Sequence, residues 1–213
     1  MPTIESYKIP NRTRKLFLRV AKGHFATSHS HINYYIDVTM PKNRLSEAKS
    51  IAKELVSYYS HSTVVDTVLC LDGTQVIGAC VANELMKENF MSMNLHETVY
   101  VVTPEHTTGS QLVFRDNIVP MIQGKNVLIL AASVTTGYTA QAAAQAIEYY
   151  GGRVVGISAI FSTLDKCLGH EVRSVFKTSD LDGYASYPSH DCPICKEGRR
   201  IDALVNSFGY SKL

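Results

Sequence analysis

The stretch VLILAASVTTGYTAQAAAQAI, residues 127–147, decides the fold. Its apolar run from Val127 to Leu130 predicts a buried strand. Small polar residues follow, and an alanine-rich amphipathic pattern then predicts a helix over residues 138–150. In open α/β sheets, ligands bind beyond the carboxyl ends of the strands. The polar turn therefore lies where such a fold binds its ligand.

This turn has the chemistry of a phosphate site. The free N–H groups in the first turn of a helix, together with the helix dipole, attract an anion. Thr135, Thr136 and Thr139 add hydroxyl donors, and Gly137 lets the backbone approach a ligand closely. The alternative is a threonine-rich helix cap without a ligand. The donors therefore predict a phosphate monoester as the ligand, with its charge met by neutral groups. The chain has no GxxxxGK[ST] loop and no GxGxxG turn after its first strand, so neither a P-loop nor a dinucleotide fold is supported.

Apolar strands and amphipathic helices alternate along most of the chain. The helices are predicted at residues 44–60, 75–88 and 138–150, and the strands at 16–20, 24–27, 34–39, 64–71, 98–102, 125–130 and 153–161. Parallel strands covered on both faces read as continuous apolar runs, as the central strands do here. The fold class predicted is α/β, a parallel sheet with helices on both faces. Residues 103–111 are polar and aperiodic, which predicts a loop.

Composition limits the classes of protein. A chain of 213 residues with a net charge of +2 predicts one domain and gives no support for a nucleic-acid partner. The chain shows no secretory signal and no apolar run long enough to cross a membrane, so no membrane partner is expected. Five cysteines, an odd number, fit a reducing cytoplasm better than a disulfide scaffold.

Residues 127–147 resemble the phosphoribosyl-diphosphate signature of type I phosphoribosyltransferases. That signature is an apolar strand, two acidic residues, a short spacer, Thr-Thr-Gly, one further residue and Ser or Thr, then a helix. Gly23-His24-Phe25, followed by Tyr35-Ile36-Asp37, is similar to the N-terminal region of orotate phosphoribosyltransferases. CPICKEG at 192–198 resembles a C-terminal Cys-Pro-x-Cys segment of some members.

The resemblance implies a single type I phosphoribosyltransferase-like domain over residues 1–213. Its parts would be a small N-terminal hood at 1–43, an α/β core at 44–180 and a C-terminal segment at 181–213. Within the hood, residues 28–33 would contact a base. Members of the family are commonly homodimers, and we carry that over as an expectation.

The resemblance also implies the residues of the site. The ribose 5-phosphate would be held by a run at the strand end: Ser133, Val134, Thr135, Thr136, Gly137, Tyr138 and Thr139. The diphosphate would meet the backbone N–H groups of a three-residue turn: Asp72, Gly73 and Thr74. The mobile loop that closes over the site would correspond to residues 103–111, where His106 and Gly109 stand in rough position.

Two departures from the family weaken the expected chemistry. Ala131 and Ala132 stand where the family has paired carboxylates, and alanine neither accepts a hydrogen bond from a ribose hydroxyl nor stabilises a cationic transition state. No Lys or Arg lies between Met93 and Arg115, so the loop lacks the cations that grip a diphosphate. No residue is therefore assigned a catalytic role. Mg²⁺ is expected as a cofactor only if the protein is catalytically active.

Cysteine and histidine spacing raises the question of zinc. Cys167-x-x-His170 and Cys192-x-x-Cys195 have the internal spacing of ligand pairs, and together they would form a site of three cysteines and one histidine. The favoured alternative is a C-terminal turn with reduced thiols. His29 and His31 are predicted to be a solvated pair in a loop.

Three functions remain open from the sequence. The first is a phosphoribosyltransferase-family protein, related to orotate phosphoribosyltransferase, that binds a nucleoside monophosphate or phosphoribosyl diphosphate in nucleotide metabolism or salvage. Such a protein would be a transferase of pyrimidine chemistry if it is active. The second is a catalytically inactive relative that senses a nucleotide and regulates a protein partner. The third is a zinc-stabilised structural protein with an empty loop.

Overall fold

A computed structural model describes residues 4–87, 98–107 and 111–213. The chain divides into a terminal unit, Met1–Met40 with Phe176–Leu213, and a central unit, Pro41–Val175. The α-helices are α1 (Thr39–Asn43), α2 (Leu45–Val56), α3 (Gln75–Leu85), α4 (Tyr138–Tyr149) and α5 (Pro193–Lys196). The strands are β1 (Ser6–Pro10), β2 (Phe17–Ala26), β3 (Ser30–Asp37), β4 (Thr67–Cys70), β5 (Tyr100–Val102), β6 (Glu105–His106), β7 (Leu112–Val113), β8 (Asn126–Val134), β9 (Arg153–Ser162), β10 (Lys166–Cys167), β11 (His170–Lys177), β12 (Ser186–Pro188), β13 (Ala203–Asn206) and β14 (Gly209–Lys212).

The central unit is built on one sheet with the strand order β10-β11-β9-β8-β4-β5. Strands β5, β4, β8 and β9 run parallel; Val127 of β8 pairs with Thr67 of β4 and with Val154 of β9. Every residue of β4 is buried, as are most of those of β8 and β9. Strands this apolar need cover on both faces.

Helices provide that cover, one set on each face. The alanine-rich side of α4 belongs to the same core cluster as Ile129 and Leu69. Helix α3 packs on the opposite face, because a Cβ atom on its Gly78 would overlap Cys70 Sγ and lie 3.6 Å from Val68 Cγ1. Residues 68 and 70 alternate with 69 and so point away from α4. The predicted α/β fold is therefore confirmed.

Most predicted elements appear with shifted ends. Helices α2, α3 and α4 lie within the segments predicted as helical, and in the described residues no helix is long and apolar enough to cross a bilayer. The loop predicted over 103–111 is wrong in part, because Glu105 and His106 pair with Val113 and Leu112 in a short hairpin. Strands of two residues are too short to show periodicity in a sequence.

The terminal unit joins both ends of the chain in a second sheet. Its strand order is β12-β3-β2-β13-β14, and β1 pairs with residues 17–21 of β2. Strands β1, β2 and β3 are antiparallel, whereas β13 runs parallel to β2. The small core of this sheet combines buried residues from both ends of the chain: Ala21, Phe25, Ile32, Tyr35, Ala203 and Val205.

Gly156 allows the close packing of Tyr59 on β9. A Cβ atom at position 156 would lie 2.6 Å from Tyr59 Cε1, so we expect Gly156→Ala to lower the free energy of unfolding by about 1–3 kcal/mol in urea denaturation. In the Tyr59→Ala background the same substitution should lower the free energy of unfolding by less, because the tyrosine ring that the new Cβ atom would meet is absent. An equal cost in both backgrounds would show that the contact with Tyr59 is not the cause.

Candidate functional site

The strand that leads to the predicted phosphate turn is longer than its apolar run. Strand β8 continues through Ser133, which pairs with Phe161, and Val134, which pairs with Ser162. Val134 is buried, and Ser133 is half-buried. The turn itself is thus only Thr135 to Gly137, while Tyr138 and Thr139 open α4.

Helix α4 begins after a glycine. Gly137 is the N-cap residue, and having no side chain it makes no side-chain hydrogen bond to the helix. The alternative in which a threonine caps this helix is therefore wrong. Thr135 and Thr136 are exposed, and the Thr135 carbonyl accepts a hydrogen bond from Thr163 Oγ1 at 2.7 Å. The turn is held by its backbone, which leaves its threonine side chains at the surface.

Glycine is required at position 137 for two reasons. Its φ of 82° lies in the left-handed region, where a side chain is strained. A Cβ atom would also lie 3.2 Å from Cys167 Sγ and 3.3 Å from Leu164 Cδ1. Cys167 therefore packs against this turn in the central unit.

The two alanines at the strand end are fully part of the core. Ala131 and Ala132 are 1% and 0% exposed. The N–H of Ala132 donates a hydrogen bond to the carboxylate of Asp72, at the end of the neighbouring strand β4. A carboxylate thus does lie beside these positions, but it comes from a different strand. Burial raises the pKa of Asp72, while the Ala132 N–H, Lys42 and His106 act to lower it.

Lys42 was missed by the sequence analysis. Its side chain is buried, and Nζ donates a hydrogen bond to the Asp72 carbonyl at 2.8 Å. A Cβ atom on Gly73 would lie 3.5 Å from the same Nζ atom. Burial lowers the pKa of Lys42, and the Asp72 charge partly offsets this. The predicted diphosphate turn therefore has one ammonium group beside it, brought from 30 residues earlier in the chain.

The backbone angles and hydrogen bonds of the turn at residues 72–74 serve the fold. Asp72 and Gly73 both have positive φ, 54° and 78°. Thr74 is buried, and its Oγ1 lies 2.8 Å from the Leu71 carbonyl and 3.0 Å from the Leu130 carbonyl. The Thr74 N–H donates to the Leu71 carbonyl. The Thr74 hydroxyl thus links the ends of β4 and β8. Its N–H group, which was expected to face a diphosphate, already donates to the Leu71 carbonyl.

The segment predicted as the mobile loop, 103–111, includes β6, the first strand of the short hairpin that β6 forms with β7. His106 is exposed on β6. Glu105, also exposed, accepts hydrogen bonds from the guanidinium of Arg115 at 2.6 and 2.9 Å. Gly109 lies outside the described residues. The positive charge of Arg115 is therefore partly neutralised within the hairpin.

The structure groups Cys192 and Cys195 with two histidines that the sequence analysis did not pair with them. Cys192 and Cys195 lie with His24 and His31 in the terminal unit, whereas Cys167 and His170 belong to the central unit. The prediction that His31 is solvated is wrong, since it is 8% exposed on β3. The chain separation of 168 residues between His24 and Cys192 left no local signal of this cluster.

Comparison with known proteins agrees with this architecture. No family model matches the chain. The orotate phosphoribosyltransferase of Chlorobium phaeobacteroides is 26% identical over 191 residues, covering 85% of this chain and 86% of the relative. That of a Thermoanaerobacter species is 25% identical over 181 residues, covering 84% and 86%.

Solved structures share the fold at low identity. Adenine phosphoribosyltransferase from Thermoanaerobacter pseudethanolicus superposes with a TM-score of 0.52 at 18% identity, over 81% of this chain and 95% of that one. Leishmania donovani UMP synthase gives 0.55 at 20% identity, over 76% and 34%. The predicted type I phosphoribosyltransferase fold and the resemblance to orotate phosphoribosyltransferases are confirmed.

Replacing Gly137 tests the turn. We expect Gly137→Ala to lower the free energy of unfolding by more than the about 1–2 kcal/mol that a left-handed residue costs, because the added Cβ atom also meets Cys167 and Leu164. Gly169→Ala is the matched control, since Gly169 has φ of 79° and no atom within 4 Å of its Cβ position. Equal losses in urea denaturation would contradict the crowding at position 137.

Asp72 should make stability depend on pH. Because its pKa is raised, the native state keeps a proton that the unfolded state releases above the ordinary value of about 3.9. The free energy of unfolding then falls as pH rises through the interval up to the native pKa. Asp72→Asn lacks this fall, so it should gain stability relative to the unmodified protein across that interval. A pH-independent difference in urea denaturation would refute this.

Proposed function

We propose that this relative of the orotate phosphoribosyltransferases binds the 5-phosphate of a phosphorylated ribose at Ser133–Thr139. The ligand would be a nucleoside monophosphate or phosphoribosyl diphosphate. The observation that carries the proposal is the helix start at Gly137, a left-handed N-cap glycine that follows a central parallel strand. The confirmed fold supports it, because open α/β sheets bind ligands at this edge.

The binding would rest on neutral donors. Helix α4 has 12 residues and directs the N–H groups of its first turn beyond the strand end. The helix dipole adds about 0.3–2 kcal/mol for an anion placed there. The exposed hydroxyls of Thr135, Thr136 and Thr139 supply further hydrogen bonds. Gly137 itself is buried, and the space that a side chain would take there is filled by Cys167 and Leu164.

Transfer of the ribosyl group is less well supported than binding. Breaking the anomeric bond develops positive charge on the ribose and negative charge on the diphosphate. Ala131 and Ala132 offer no carboxylate, and the Asp72 carboxylate already accepts the Ala132 N–H. Lys42 is the ammonium beside the diphosphate turn, and its Nζ donates to the Asp72 carbonyl. A transferase of this design would be slow and would rely on Mg²⁺ to neutralise the diphosphate.

The burial of Ala131 and Ala132 favours a second candidate, a catalytically inactive relative. It would sense a nucleotide through the same phosphate turn and regulate a protein partner. The first proposal also includes a place in pyrimidine nucleotide metabolism or salvage in the cytoplasm, and assembly as a homodimer. Only the resemblance supports these parts. Diphosphate release distinguishes the two candidates, since both bind the ligand.

A thermal-shift screen tests the binding. Nucleoside monophosphates and ribose 5-phosphate should raise the melting temperature with little dependence on Mg²⁺, and the matching nucleosides without phosphate should not. At a ligand concentration of a hundred times Kd the gain is about 2.7 kcal/mol, a shift of several degrees. If no phosphorylated ribose shifts the protein, the proposal is wrong.

Variants locate the binding on the molecule. Thr136→Val removes one exposed donor and should reduce the shift, and the double variant Thr136→Val with Gly137→Val should abolish it. Thr13→Val, at an exposed threonine of the terminal unit, is the control and should keep the full shift. Rapid Mg²⁺-dependent diphosphate release by the unmodified protein would exclude the inactive candidate.

A further inference from the structure

We propose that His24, His31, Cys192 and Cys195 form a structural Zn²⁺ site in the terminal unit. One potential ligand atom from each of these residues lies within 4.8 Å of all the others. The two histidines come from the antiparallel strands β2 and β3. Cys192 is the N-cap residue of the short helix α5, and Cys195 lies within that helix. This site is separate from the phosphate turn and does not depend on the proposed function.

Four of the six distances between the ligand atoms are close to the edges of a tetrahedron around zinc. His24 Nε2 lies 3.2 Å from His31 Nδ1, 3.5 Å from Cys192 Sγ and 3.6 Å from Cys195 Sγ. Cys195 Sγ lies 3.3 Å from His31 Nδ1. With Zn–N of about 2.05 Å and Zn–S of about 2.3 Å, a regular tetrahedron has N–N edges of about 3.4 Å and N–S edges of about 3.6 Å.

Hydrogen bonds outside the cluster fix His24 in the tautomer that a metal needs. Its Nδ1 lies 3.1 Å from the Arg199 carbonyl and 3.2 Å from the Arg200 carbonyl, and both of these groups only accept. The ring proton is therefore on Nδ1, and Nε2 presents a lone pair to the cluster. A metal-bound histidine typically donates its other N–H to a carbonyl or carboxylate in this way.

Hydrogen bonds also fix the backbone around the cluster. The His24 N–H donates to Asp202 Oδ2 at 2.7 Å, and the Asp202 N–H donates to the His24 carbonyl at 2.7 Å. The pairing of β2 with β3 shifts register between Lys22 and Phe25, the kind of irregularity that re-aims a side chain. His24 and Cys192 are 0% and 1% exposed. Polar ligand atoms this buried need partners, which a cation supplies.

The donor set selects the metal and its role. Two thiolates and two imidazoles in a tetrahedral arrangement suit Zn²⁺, and four protein ligands leave no open position for a substrate. The site joins β2 and β3 to a segment about 168 residues later in the chain. A metal that binds only the folded state adds directly to the stability of this unit.

Metal analysis of the full chain tests the site. Protein purified without chelators from zinc-supplemented cells should contain about one Zn²⁺ per chain by mass spectrometry. Substitution by Co²⁺ should give the ligand-field bands of a tetrahedral site and a thiolate charge-transfer band. A strong chelator should lower the melting temperature by at least about 5 °C, and added Zn²⁺ should restore it.

Variants separate this site from the alternative pairing. Cys195→Ser changes the exposed ligand and should weaken Zn²⁺ binding at least tenfold, with the thiolate band reduced. Cys167→Ser and His170→Asn are the controls and should retain the full metal content. If Cys195→Ser does not fold, the chelator titration of the unmodified protein still decides. Three results would overturn the proposal. The first is a folded protein that contains no metal and is unaffected by the chelator. The others are a Cys192–Cys195 disulfide in freshly purified protein and loss of zinc from Cys167→Ser.

Discussion

The parallel pairing of β8 with β4 on one side and β9 on the other is the constraint on which the central unit depends. It aligns Cys70 with Leu130 and Ser133 with Phe161, so the turns after β4 and β8 open at one edge of the sheet. The buried hydroxyl of Thr74 ties two of these strand ends. A slip of register would move apolar side chains to the wrong face. The sheet therefore sets the distance between the phosphate turn and the turn at Asp72.

The charges at this edge explain why binding is better supported than transfer. Phosphate can be held by backbone N–H groups and hydroxyls, which need no net charge when the helix dipole contributes. Stabilising a ribosyl cation needs carboxylates near the anomeric carbon, and buried alanines stand at the two positions of β8 where the resemblance leads us to expect acids. Asp72 is the neighbouring acid, and its burial raises the pKa, which disfavours the charged form that such stabilisation requires. Lys42 places an ammonium close to the same carboxyl group.

The terminal unit must hold together strands from the two ends of the chain. Its sheet combines strands from both ends of the chain, with β13 running parallel to β2. Such long-range pairing carries a loop-closure entropy cost that contacts within the unit must offset. Reciprocal hydrogen bonds between His24 and Asp202 fix one point of this closure. A metal held by His24, His31, Cys192 and Cys195 would fix another nearby.

The sequence by itself determined what depends on local pattern. It predicted β8, α4 and the glycine turn between them, because apolar periodicity and the left-handed freedom of Gly137 are properties of neighbouring residues. Tertiary structure alone decided that β8 extends through Val134, since pairing with β9 sets the strand length. It also decided that Lys42 lies at Asp72 and that two histidines meet Cys192 and Cys195. Contacts between residues 30 to 171 positions apart depend on how strands pair and chain ends meet, and no local spacing encodes that.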